Sequence, residues 1–139
     1  MNRLRILLRV FLASWLLNLI WENLHVFLYE QYRGVFYSQM GWVDKFLILL
    51  KASIFDATFI TAVVFLIMLI PWLKGKESWS LVVIAVLFSV SLELYALDTG
   101  RWAYNSLMPL IPMLDIGVSP VIQLGLTGYL ATRFTFTKS

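Results

Sequence analysis

His25 is the only histidine in the chain, and it stands three residues after Glu22 in an otherwise greasy run, residues 15–32. Ser14 and Asn18 precede Glu22 at intervals of four, and Tyr29 follows His25 by four. Residues three or four apart share one face of a helix, so these five side chains predict a single polar stripe. An acid and an imidazole on that face can share a proton or a ligand, and imidazole is the side chain whose charge changes near neutral pH. Asn23 falls off the stripe. Three later stretches repeat the device: Ser53 with Asp56, Ser89 with Glu93, and Ser119 with Gln123 and Thr127.

Charged groups inside hydrocarbon cost roughly 2.5–3.5 kcal/mol each on insertion scales. The stripes are therefore expected to face one another around one connected polar cluster in the outer half of a membrane. At least one clustered carboxylate should hold a proton, because neighbouring acids in a low dielectric cannot all carry charge cheaply. For Ser14, Ser53, Ser89 and Thr127, hydrogen bonding between helices is reason enough to be there. It is not for the acids, where Asn or Ser would pack at lower cost. Glu22, His25, Asp56, Glu93 and Asp98 are the expected proton-handling residues. Trp21, Tyr29, Arg101, Trp102, Tyr104 and Gln123 are the expected binding residues. Glu22-x-x-His25 has the spacing found in helical di-iron sites, but those need the motif twice. With one histidine and no cysteine, neither a metal nor another cofactor is expected.

The elements that must position these residues follow from composition. Of 139 residues, 60% are hydrophobic and 14% charged, with a mean hydropathy of +0.81. A soluble domain of this size carries about a quarter charged residues. Here apolar runs near spanning length separate short charged clusters, which predicts an all-α, polytopic four-helix transmembrane bundle in a single domain, 1–139. The spans are read at about 8–29, 46–69, 79–97 and 113–134. The start of the chain imitates a signal peptide but shows no small-x-small cleavage pattern, so it reads as an uncleaved anchor. Arg3, Arg5, Arg9, Lys74, Lys76, Arg133 and Lys138 fall on one side of four spans, which predicts both termini in the cytoplasm. Arg33, Lys45 and Arg101 fall on the other side, and Lys51 lies inside the second span near its start. The net charge of +3 is thus a matter of topology, and no nucleic acid is expected.

The segment 93–123 is the most distinctive. Asp98-Thr99-Gly100 marks a helix stop. Arg101 then stands where it can reach back to Glu93 or Asp98 and offset their charge. Trp102 and Tyr104 suit an interfacial belt. Pro109 and Pro112 keep the next piece non-helical, and Ser119-Pro120 reads as a helix cap and first turn. Residues 113–118 are then either the start of the fourth span or a re-entrant piece. An acid, then Gly100-x-Trp102-x-Tyr104, then a proline-led helix start at Pro120 resembles the lycopene cyclase type of small membrane protein and related carotenoid-modifying proteins. The resemblance covers about a quarter of the chain. It implies a long apolar isoprenoid substrate and acid-catalysed proton transfer to a double bond. That family continues Leu-Glu-Glu after its proline, where this chain reads Val121-Ile122-Gln123.

Three functional classes are consistent with these features. The first is a protein of the membrane, most simply the bacterial inner membrane, that binds or converts an apolar lipid or isoprenoid at the acid and histidine cluster. The second is a non-catalytic subunit or assembly factor of a membrane complex. The third is a proton-coupled transporter or channel with Glu22, Asp56 and Glu93 as relay groups. The expected partners are membrane lipids, an apolar small molecule, and a second copy or a membrane-complex subunit.

Overall fold

The computed structural model describes residues 2–136, so Lys138 of the topology argument lies outside the described residues. Four helices make up most of the chain: α1 (Arg3–His25), α2 (Trp42–Ile67), α3 (Glu77–Asp98) and α4 (Val118–Phe136). The first three are long and apolar enough to cross a membrane. The fourth has 19 residues, or about 28 Å at 1.5 Å per residue. Asn2 caps α1, its side chain accepting from the Leu4 amide at 3.1 Å. α3 stops where the glycine predicts: Gly100 has φ +66°, and the Arg101 amide donates back to the Ala96 carbonyl at 2.8 Å.

Around the bundle each helix adjoins the next in sequence, and α4 closes on α1. The α1–α2 and α3–α4 pairs pack along most of their length, whereas α2 and α3 touch sparingly. Their main contact is aromatic. Phe59 stacks on Phe88 with ring centres 4.1 Å apart, and Phe55 leans on the same ring.

The two ends of the bundle differ in chemistry. At the end holding the start of α1, the core is apolar: Ile6, Val10, Ile60, Val64, Leu81 and Ala85 are buried together. The opposite end buries Asn18, His25, Asp56, Glu93 and Gln123 instead.

That polar end is roofed by short strands, which correct the all-helical expectation. β1 (Tyr29–Tyr32) pairs antiparallel with β2 (Val35–Phe36) and with β3 (Trp102–Tyr104). The β1–β2 turn is Arg33-Gly34, both at positive φ (+51° and +78°), the conformation of a tight two-residue hairpin. β4 (Leu110–Ile111) pairs with β5 (Ile116–Gly117) in a second hairpin. Residues 113–117 are therefore not helical, and Met113 at the hairpin tip is 98% exposed. α1 ends at His25, so Tyr29 belongs to a strand rather than to the helical stripe. The fourth helix begins at Val118, five residues later than the expected span.

Candidate functional site

Each helix sends its polar stripe inward at the strand-covered end. Gln123 of α4 is the hub. Its Nε2 lies 2.7 Å from Glu22 Oε1, 2.8 Å from Asp56 Oδ2 and 3.1 Å from Asn18 Oδ1. One amide nitrogen carries two protons, so the two shorter contacts are its main bonds. Thr127, one turn along, donates to Asn18 Oδ1 at 3.2 Å. Three helices are thus tied through a single side chain.

His25 stands behind Glu22. Its Nε2 is 3.2 Å from Glu22 Oε2, and its Nδ1 is 2.8 Å from Ser119 Oγ. With Glu22 ionised, Nε2 donates to the carboxylate and Nδ1 accepts from the serine hydroxyl. The resulting Ser119–His25–Glu22 chain fixes the carboxyl and gives it a route for a proton. Trp21 and Tyr29 meet the imidazole edge-on, with ring centres 6.3 and 5.5 Å away.

Glu93 on α3 is held separately. Tyr104 and Trp102 of β3 both donate to its Oε2, the indole Nε1 at 3.1 Å. The expected single network is therefore two: a Glu22–Gln123–Asp56 set with His25 behind it, and a Glu93–Trp102–Tyr104 set. They face each other across a cavity of about 380 Å³ lined by Glu22, Asp56, Glu93 and Gln123 and roofed by Tyr29 and Trp102. Ile48, Ala52 and Phe55 of α2, with Ser89 and Leu92 of α3, form its other walls, so it lies in the gap between these two helices. The volume falls in the ~300–1,000 Å³ range of small-molecule sites.

Other expected positions are elsewhere. Asp98 is exposed at the end of α3 and takes no part in the cavity wall. Arg101 lines the cavity mouth but reaches neither Glu93 nor Asp98; its guanidinium lies over the Tyr95 ring at 5.4 Å. His25, Trp21 and Tyr104 stand one layer back from the wall. Asn23 is exposed and donates to the Leu19 carbonyl at 2.7 Å, within its own helix.

Several wall residues escaped the sequence reading as site members: Tyr32, Arg33, Tyr37, Lys51 and Ser89. The Arg33-Gly34 hairpin signal could have found the first two, since it folds the following chain back over the helix ends. Ser89 lines the cavity, and its Oγ is buried with no hydrogen-bond partner. No set of three His, Cys, Asp or Glu among the described residues is arranged to hold a metal ion.

The roof tyrosines are held in their neutral form. Burial, followed by the nearby Glu93 and Glu22, raises Tyr29 well above the ordinary phenol range. Burial, then the bond to Glu93, does the same to Tyr104. Burial and then Glu22 push Tyr37 up to about 12. A raised folded-state value means that the native protein holds the proton more tightly than the unfolded chain. The stability contributed is complete below pH 10 and is lost as pH rises toward 12. Tyr37→Phe should therefore flatten the alkaline fall in melting temperature between pH 10 and 12 and leave melting at pH 7–9 unchanged. An identical alkaline fall in both proteins would contradict this.

Comparison with known proteins gives no match to a family model, a curated protein or a solved structure.

Proposed function

We propose that the chain is a small integral membrane protein that takes an apolar lipid or isoprenoid from the bilayer into this cavity and moves protons to and from it. The observation that carries the reading is the cavity itself. Carboxyl groups from three helices converge on a ligand-sized space in the one gap where neighbouring helices pack sparsely. Interhelical packing alone favours filling such a space. The resemblance of Asp98, Trp102, Tyr104 and Pro120 to the lycopene cyclase type supports the same substrate class, although Asp98 lies outside the cavity wall.

In this reading Glu22 first takes a proton through His25, then gives it to a double bond and is left as the carboxylate. The faces of Tyr29, Tyr32, Trp102 and Phe55 stabilise the cation that develops. Asp56 or Glu93 accepts the proton lost from a neighbouring carbon, so the net change is an isomerisation or ring closure. The test is incubation of the purified protein with a bacterial lipid extract in D2O, followed by mass spectrometry. A lipid species should gain carbon-bound deuterium relative to a protein-free control, and its absence would remove the catalytic part of the proposal.

The proposal includes α4 as a fourth span, both termini in the cytoplasm, and residence in a bacterial inner membrane. The basic clusters at Arg3–Arg9 and Lys74–Lys76 support that orientation. A reporter fused after Ser139 should behave as cytoplasmic. A periplasmic signal would place the acids at the wrong face.

A further inference from the structure

The acids occupy the depth of the cavity, and cations occupy its mouth. Arg33, Lys51 and Arg101 all line it, from the β1–β2 turn, from α2 and from the loop after α3. Their placement is specific. The Arg33 amide donates to the Arg101 carbonyl at 2.7 Å, which locks the two arginine backbones side by side. Their guanidinium groups lie over the Tyr32 and Tyr95 rings, each at 5.4 Å. Lys51 is nine residues into α2, about 14 Å along the helix axis. A lysine that far along an apolar helix carries a solvation cost unless it reaches water or an anion.

Neutralising the cavity acids does not account for these cations. None of the three lies within ion-pair distance of a carboxylate among the described residues. Positive-inside topology does not account for them either, since they fall on the side opposite the main basic clusters.

We propose that the ligand is an amphiphile with a phosphate head, and that Arg33, Lys51 and Arg101 bind that head at the mouth while its apolar chain descends between α2 and α3. This inference rests on the lipid-binding reading above and narrows its substrate class. A phosphate ester carries about −1.5 to −2 charges and three acceptor oxygens, which matches three cations lining one cavity. Two of these are arginines, whose planar forks suit phosphate oxygens. The buried acids repel such a head from below and hold it at the rim, while Ile48, Ala52, Phe55 and Leu92 offer an apolar wall to the chain.

The test is equilibrium binding of radiolabelled farnesol and farnesyl monophosphate to the full chain in detergent. The wild type should bind the phosphate at least tenfold more tightly. The combined Arg33→Gln, Lys51→Gln, Arg101→Gln variant should bind both probes within about twofold of each other, with farnesol affinity unchanged. Retained farnesol binding reports that this variant is folded; should it be lost, the single variants replace it, each expected to lose about threefold for the phosphate alone. Equal wild-type binding of the two probes, or a preference that survives the substitutions, overturns the phosphate proposal and leaves lipid binding standing. If neither probe binds the wild type, the lipid-binding reading fails as well. Dioleoyl phosphatidic acid is the competing arm. Displacement of farnesyl monophosphate would identify a bilayer phospholipid as the source of the head, and no displacement an isoprenoid phosphate; either supports phosphate recognition.

Discussion

Glu22→Gln and His25→Ala should each lower deuterium transfer into lipid by about 10²–10⁴-fold, the usual contribution of a positioned acid or base. The two act in series. Glu22 lines the cavity, and in the proposed reaction His25 would reach the ligand only through the Glu22 carboxyl, 3.2 Å away. His25 is thus a positioning and relay residue, so its loss should alter the pH profile as well as the rate. Glu22→Gln keeps the bond geometry and removes the transferable proton. Asn23→Leu, one residue from Glu22 on the exposed face, should be tolerated. All three must keep wild-type melting behaviour in detergent for the comparison to hold. If Glu22→Gln and His25→Ala are folded and fully active, the pair is structural and the enzyme and relay readings lose their best residues.

Gln123→Leu should cost about 1 kcal/mol of stability. Two magnitudes compete here. A buried acceptor left without its donor costs ~1–3 kcal/mol in a soluble protein. Between membrane helices, however, such bonds average only ~0.6 kcal/mol, because the separated helices also find partners in the membrane. The membrane figure is the relevant one, and the amide nitrogen makes two main bonds, to Glu22 and Asp56. Gln123→Glu should be worse than Gln123→Leu, because it replaces the donor shared by Glu22 and Asp56 with another acceptor. Unfolding titrations in mixed detergent micelles would measure both. A Gln123→Leu protein as stable as wild type would mean that the amide does not hold the helices in register.

The positions of the acids were legible because a buried polar residue on an apolar helix has one economical place to point. The four-residue steps of Asn18–Glu22, Ser89–Glu93 and Gln123–Thr127 located the inward faces without knowledge of how the helices pack. The roof was not legible. Tyr29 continues the helical spacing of α1, and nothing in that periodicity reveals that the helix stops at His25 so that Tyr29 can pair with β3. Pairing between residues more than seventy positions apart, as in Tyr29 with Tyr104, leaves no local pattern. The same long-range pairing carries Arg33 and Arg101 to the mouth. Asp98 was misplaced for the converse reason. It sits close to Glu93 in sequence, but five residues turn it about 140° round the helix, to the exposed side.

The central claim is that the space between α2 and α3 holds a lipid. Ala52 lines that space from α2 and is half-buried, so Ala52→Trp would fill it with an indole and leave every acid in place. The direct measurement is mass spectrometry of lipid extracted from wild-type and Ala52→Trp proteins, purified identically from the same membranes. The wild type should carry one lipid species well above its share of the bulk membrane, near one molecule per chain, and Ala52→Trp should lose that species while keeping the wild-type melting temperature. The same bulk lipid profile from both proteins would contradict the account, and a co-purifying second polypeptide in that outcome would favour the subunit reading.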